Sequence, residues 1–302
     1  MSYSKGDWVE NDFLLSSAEV KETKAGKKYV DAYVENSEER FNVKLWNSDS
    51  TPKPGSVVHV VGVCEEFNNT LQIKATSLTE TDGNPYDFVL AADTSPKVLW
   101  SETVKLLNTI NNIWCNKLIH QFLDDEEIKA RFLDYPAGVR IHGAYRYGLL
   151  EHTYFVMKIC DSLCEIYECN RDLCLTGAFL HDIGKIRELS GVIGTEYTEM
   201  GNEVGHLGIG VMMVTEKAKQ IEDFPERVLT NIVHLIASHH GEQEYGALKV
   251  PCMLESRILY AADNLDCFMK RTKESIGKNA RDPFVGAVCY SGEWSNEMDS
   301  AK

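Results

Sequence analysis

The chain lacks any run of 18 or more apolar residues, so no transmembrane helix is expected. Its first residues, MSYSKGDWVEND, lack a basic segment followed by an apolar one, so no secretory leader is expected. Nine cysteines are scattered along 302 residues without a C-x-x-C pair. That argues against a disulfide framework or a cysteine zinc site and suits buried thiols in a reducing cytoplasm. Basic charge is also scarce: 31 Lys and Arg against 46 Asp and Glu leave a formal net charge of −15. Gripping duplex nucleic acid by its phosphates needs a basic face. Any nucleic-acid contact here is therefore expected to be local, carried by metal ions or made by stacking. Otherwise the acidic surface simply keeps the protein in solution. No internal repeat or low-complexity segment is present.

What is present divides in two. KYVDAYVE (28–35) alternates, and so does RFNVKLW (40–46), with Asn36 and Ser37 as a turn between them. SVVHVVGVCEEF and TLQIKATSL follow as two more strands around the turn at Asn68 and Asn69. Short strands at regular spacing predict a small β-barrel over 1–82, and their order is similar to an OB-fold. Residues 83–96 are turn-rich and acidic, a linker. From 97 to 275 the helical period takes over. It predicts helices near 97–115, 117–123, 125–133, 150–168, 171–182, 203–220, 225–239 and 252–275, with Asn170 as an N-cap. The tail, 276–302, is polar and mixed. The expected fold class is multidomain α+β, a β-barrel followed by an all-α domain.

Five of nine histidines form an ordered series with two aspartates. His152 stands in GLLEHTYFV, His181 and Asp182 in FLHDIGK, His206 in EVGHLGIG, His239 and His240 in IASHHGE, and Asp263 in LYAADNLD. His152 shares a helix face with Val156 and Cys160, and His239 continues the stripe of Ile232 and Ile236. Asp263 lies among apolar residues. A buried carboxylate without a partner costs several kcal/mol. Two of them beside several imidazoles call for a cation or a dense hydrogen-bond network. Imidazole and carboxylate without thiolate suit Mn, Fe, Co, Ni or Zn. His59, His120 and His234 read as ordinary structural histidines.

H…HD…D spread over four helices, with HDIGK after GAFL, LLEHT before it and AADNLD after it, resembles the HD superfamily of metal-dependent phosphohydrolases. The resemblance narrows. The segments 124–153, NRDLCLTGAFLHDIGKIRELSG, GHLGIGVMMV, ASHHGEQEYG and LESRILYAADNLD are similar to the YhaM-type 3′→5′ exoribonucleases, which carry an N-terminal OB-fold before the HD domain. Two positions depart from that pattern. Gly143 stands where a second histidine is usual, and Tyr147 stands where a small residue precedes Gly148.

The resemblance implies one divalent metal held by His152, His181, Asp182 and Asp263. Asp182 would bridge to a second held by His206 and His239. The alternative for the later histidines is a one-metal site in which they bind phosphate or donate protons. His240 is a ligand or a phosphate contact. Mn²⁺ is the first expectation, with Co²⁺, Fe²⁺, Ni²⁺ or Zn²⁺ as alternatives. Lys185 would turn back to the site after Gly184, or else is a solvated lysine favoured by the helix dipole. His142 or His240 would protonate the leaving oxygen, unless His142 is a structural turn residue. Upstream bases would stack on Tyr33 and Trp46, unless these are barrel core. Lys27 and Lys28, with Lys21 and Lys24, would touch the RNA backbone, unless they form an exposed polar loop.

The implied function is hydrolysis of single-stranded RNA, with single-stranded DNA as a further substrate, to 5′-monophosphates by a metal-activated hydroxide. The implied setting is the cytoplasm, away from membranes, in a homo-oligomer such as a hexamer. Two other functions compete. One is an HD phosphodiesterase acting on a cyclic nucleotide, cyclic dinucleotide or other small nucleotide. The other is a binding module with a vestigial site, which the complete ligand set argues against.

Overall fold

The computed structural model describes residues 3–67, 70–139, 143–277 and 281–292. Five strands come first: β1 (Trp8–Glu22), β2 (Lys28–Glu35), β3 (Arg40–Trp46), β4 (Val57–Phe67) and β5 (Thr70–Thr81). β1 pairs with both β2 and β4, β2 with β3, β3 in parallel with β5, and β5 with β4, so the sheet closes on itself. This is the OB-fold arrangement expected from the sequence. Val30, Ala32 and Val34 of β2 and Phe41 and Val43 of β3 point inward against Phe13, Val60 and Ile73. The alternate residues, including Tyr33, face outward. The sequence reading missed β1. Its 15 residues do not alternate cleanly, because a bulge between Leu15 and Ser17 shifts the register.

Ten helices are described after the barrel. They are α1 (Pro96–Leu107), α2 (Ile113–Leu123), α3 (Glu126–Asp134), α4 (Gly148–Tyr167), α5 (Arg171–Leu180), α6 (Lys185–Glu188), α7 (Glu199–Glu203), α8 (Gly205–Ala218), α9 (Glu226–Ser238) and α10 (Leu254–Ser275). The helix expected over 97–115 is two helices. Asn112 Oδ1 accepts from the Trp114 and Cys115 amides and starts α2, while Asp172 accepts from the Asn111 and Asn112 amides and pins the break. Asn170 caps α5 through the Leu173 amide, as its position suggested. One apolar core joins these helices, with Leu149, Met157, Phe179, Leu235 and Leu259 at its centre. No helix among the described residues is long and apolar enough to cross a membrane.

The turn-rich segment after the barrel is stitched to the helical domain. The Arg146 amide donates to Leu90 O, and the Ala92 amide donates to Arg146 O. The described part of the tail packs on the end of α10, where Asp282 accepts from Ser275 and pairs with Arg271. Tyr147 adopts a left-handed φ of 68° at the start of α4. That conformation costs a non-glycine residue roughly 1–2 kcal/mol, which accounts for the small residue usual there. Its ring lies 4.8 Å from the Arg146 guanidinium.

Candidate metal centre

The histidines converge because several helices end at one point. His181 and His239 occupy the C-terminal ends of α5 and α9, and each uses its Nδ1 to donate to a carbonyl three residues back, Ala178 and Ile236, at 2.8 Å. His206 opens α8, with Nδ1 donating to Glu188 of α6 at 2.9 Å. His240 Nδ1 donates to Tyr245 O at 3.0 Å. His152 of α4 donates Nδ1 to Asp266 of α10 at 2.6 Å. Every ring is thus held by its outer nitrogen, and every Nε2 turns inward.

Asp182 is the hub. Its Oδ2 lies 3.5 Å from His152 Nε2, 3.5 Å from His181 Nε2 and 2.7 Å from Lys185 Nζ. Its Oδ1 lies 3.5 Å from His206 Nε2 and 3.6 Å from His239 Nε2. Asp263 Oδ1 is 3.1 Å from His152 Nε2. Facing pairs of Nε2 are as close: His152 to His181 at 3.1 Å and His206 to His240 at 3.2 Å. The lining is inaccessible, with His181 fully buried and Asp182, His239 and His152 nearly so.

Turn geometry makes this possible. Gly184 presses its Cα against α8 so closely that an added Cβ would lie 2.0 Å from His206 O. Gly241, with φ of 76°, lets the chain leave α9 against the Tyr260 ring, where a Cβ would stand 2.2 Å from the ring edge.

Electrostatics follow the geometry. Burial pushes the His181 imidazole down to about 3, with the Asp182 carboxylate opposing and neighbouring imidazoles assisting. Burial likewise takes His240 down to about 4. Both rings are neutral near pH 7 and present lone pairs. For His152 burial acts downward, but Asp263 and Asp266 outweigh it and raise the ring to about 9. Burial would raise Asp182, yet Lys185 and the surrounding imidazoles hold it well below the usual carboxylate range. Burial would lower Lys185, and Asp182 more than offsets it.

The donor set fits a divalent cation. Among the described residues Asp182 Oδ1 is buried without a hydrogen-bond partner, and the His206 and His239 Nε2 atoms point at it. Three groups of donor atoms lie within 4.8 Å of one another: His152 with His181 and Asp182; His206 with His239 and His240; His152 with Asp263 and Cys267.

The structure thus brings together His152, His181, Asp182, Lys185, His206, His239, His240 and Asp263. His142 lies outside the described residues. Tyr33 and Trp46 stand apart from this cluster, on the outer barrel surface and not in its core. They are 47% and 43% exposed, and Trp46 stacks on Tyr29. Lys27 and Lys28 are exposed at the β1–β2 hairpin and line neither the pocket at the site nor the larger cleft beside it. Sequence reasoning missed Asp266, Glu188, Cys267 and Lys270. Asp266 is three residues beyond Asp263, one helical turn along, and that spacing was the available signal. Lys270 pairs with Asp266 at 3.1 Å and Glu151 at 3.2 Å, and with Cys267 it lines the small pocket over the site.

An HD domain matches residues 149–267. The chain is 32% identical over 283 residues to the 3′-5′ exoribonuclease YhaM of Shouchella clausii, covering 90% of this chain and 88% of that protein. It is 30% identical to the protein of that name from Halalkalibacterium halodurans, covering 91% and 88%, and 29% identical to that of Bacillus subtilis, covering 91% and 90%. No solved structure matches the chain. Identity of this level over about nine-tenths of the chain shows that it belongs to the YhaM exoribonuclease family.

Proposed function

We propose that this protein is a metal-dependent 3′→5′ exoribonuclease that shortens single-stranded RNA and releases 5′-monophosphates. The observation that carries the reading is the inward convergence of four imidazole Nε2 atoms on the buried Asp182 carboxylate, with His240 Nε2 facing that of His206. In this reading His152, His181, Asp182 and Asp263 would hold one divalent ion. His206 and His239 would hold a second with Asp182, and His240 would be a further ligand or a phosphate contact. Mn²⁺ suits a nitrogen and oxygen donor set. When bound, such ions activate water and take up charge on phosphoryl oxygens.

The remaining roles fall to the chain itself. Asp266 and Glu188 fix the rings of His152 and His206 through their outer nitrogens, so each presents Nε2 to the site. Lys185, held at 2.7 Å by Asp182, brings a positive charge to the pocket, where it stabilises charge developing on the phosphate. The proton for the leaving 3′-oxygen is expected from His142, since His240 is neutral near pH 7 and its Nδ1 is held by Tyr245 O. The barrel, 1–82, guides the strand and the helical domain, 97–275, hydrolyses it; 83–96 joins them, and in the tail, 276–302, Asp282 braces α10. The protein works in the cytoplasm as a homo-oligomer, a hexamer being the form to test by mass photometry.

The test is a time course on 5′-labelled single-stranded RNA of about 20 nucleotides, with Mn²⁺ or with EDTA. A ladder shortening from the 3′ end, absent with EDTA and absent in Asp182→Ala of native fold, is expected. RNA left intact under Mn²⁺, Co²⁺, Ni²⁺ and Fe²⁺ alike would move the assignment to a small-nucleotide phosphodiesterase.

A further inference from the structure

The pocket directly over the metal cluster has a volume of only about 70 Å³. Sites that bury a ligand of nucleotide size run to roughly 300–1,000 Å³. A cleft of about 480 Å³ lies beside it, between the barrel and the helical domain. The two cavities share a wall. Ala137 and Gly143 line the small pocket, while Pro136, Ala144, Tyr145 and Arg146 of the same segment line the cleft. The Tyr145 hydroxyl donates to Glu151, which pairs with Lys270 of the small pocket, so a chain of polar contacts links the two cavities. Arg40 Nη2 donates to Ala144 O across the domain boundary at 3.5 Å.

The chemistry of the cleft is unusual for a nucleic-acid path. Its cations are Lys21, Arg40 and Arg146, against four carboxylates, Glu19, Asp31, Glu35 and Glu196. Each cation is already held: Lys21 by Asp31 at 2.7 Å, Arg40 by Glu35 at 2.6 Å, and Arg146 by Asp134 at 2.6 Å. Arg146 is also flanked by the rings of Tyr86 and Tyr147. These groups offer little to a phosphate. What the cleft does offer is an aromatic face at Tyr33, the Glu19 and Glu196 carboxylates, and the Ser16 side chain, whose buried hydroxyl oxygen has no hydrogen-bond partner among the described residues. Those are partners for a base face, an exocyclic amine and a ribose 2′-hydroxyl.

We propose that this interdomain cleft seats the nucleosides just upstream of the scissile bond, gripping them by stacking on Tyr33 and by base and sugar edges rather than by phosphates. The proposal rests on the exoribonuclease reading and adds the path and its selectivity. It has a consequence in salt. A strand held through five phosphates would lose more than about a hundredfold in affinity between 50 and 200 mM salt, whereas one phosphate contact or fewer gives less than about threefold.

The experiment compares two substrates of the Mn²⁺-loaded full chain. One is a 12-nucleotide RNA. The other is the p-nitrophenyl ester of uridine 5′-monophosphate, which carries a terminal nucleotide and nothing upstream. Tyr33→Ala is expected to lower the ratio of kcat/KM for RNA over ester about fivefold or more, and Tyr33→Phe to restore it. Wild-type KM for RNA should change less than about threefold across that salt range. An unchanged ratio in Tyr33→Ala, or a steep salt dependence, overturns the proposal. Should the wild type cleave neither substrate, the activity reading falls, and the cleft is decided separately. A strand carrying 2-aminopurine near its 3′ end is titrated into the same Mn²⁺-loaded chain. Quenching that Tyr33→Ala removes upholds the cleft, and its absence sinks it.

Discussion

Gly184→Ala tests whether the two halves of the metal cluster are mechanically separate. The added methyl would lie 2.0 Å from His206 O and 2.8 Å from the Gly210 amide nitrogen, both backbone atoms of α8. To bring the first contact even to 3.0 Å, α8 must retreat by about 1 Å. Metal ligation tolerates displacements of about 0.2 Å, so His206 leaves its ligating position. His152, His181 and Asp263 sit on α4, the end of α5 and α10, which do not touch the new methyl. The expected outcome is loss of one of two bound Mn²⁺ per chain, measured by calorimetry and elemental analysis. A fall of about a hundredfold in rate accompanies it, since a 1 Å misplacement has that effect. Overpacking also removes about 1–3 kcal/mol of stability, read by urea unfolding. Gly208→Ala is the control on the same helix. Its methyl meets only a terminal carbon of the half-exposed Val204 side chain at 2.7 Å, which can rotate away. Removing a helical glycine then contributes about 1 kcal/mol of stability. Gly184→Ala with two metals and full activity would refute the coupling of this turn to His206.

Four further outcomes are expected. Glu188→Gln weakens binding of one Mn²⁺ about 10- to 100-fold while sparing the other, seen as a split in the titration isotherm. Lys185→Met loses about 10²–10³-fold in kcat with Mn²⁺ at saturation, because charge stabilisation of the phosphate is removed. Saturating Mn²⁺ at 100 times its dissociation constant raises stability by about 2.7 kcal/mol over the EDTA-treated chain, a gain that Asp182→Ala abolishes. Asp31 gives a pH signature in the barrel. Burial acts upward on it, but Lys21, Lys44 and Asn42 outweigh that and bring it from 3.8 down to about 2. A depressed folded value means the contribution is full above 3.8 and is lost as pH falls through about 2. The stability gap between wild type and Asp31→Asn should therefore be constant at neutral pH and close across that acid window. A gap that widened on acidification would contradict the sign.

The residues that cluster at Asp182 were legible because imidazoles and carboxylates on apolar helix faces are costly without a purpose. Their spacing, HD followed by later histidines, matched a known pattern. The carboxylates behind them were not legible. Asp266 and Glu188 look, in sequence, like the solvated side of a helix, and only the fold shows that they hold His152 and His206 by the outer ring nitrogen. The barrel was readable from alternation in β2 and β3, while β1 was hidden by its bulge. The cleft was invisible in principle. Ser16, Arg40, Arg146 and Thr195 are brought together by domain packing, and no local pattern marks them as neighbours. Tyr33 and Trp46 were both candidates by residue type, yet only Tyr33 lines the cleft.

The ends of α5 and α9 deserve a last consequence. Both helices point their carboxyl-terminal, partially negative ends at the cluster, where His181 and His239 each bind one of the last carbonyls. Together with Asp182 and Asp263 they gather negative charge at the floor of the pocket, against which the structure sets Lys185 and His152. Divalent ions would tip that balance toward a phosphodiester. RNA affinity is therefore expected to rise with Mn²⁺ occupancy, which a titration of a non-cleavable strand at graded Mn²⁺ checks.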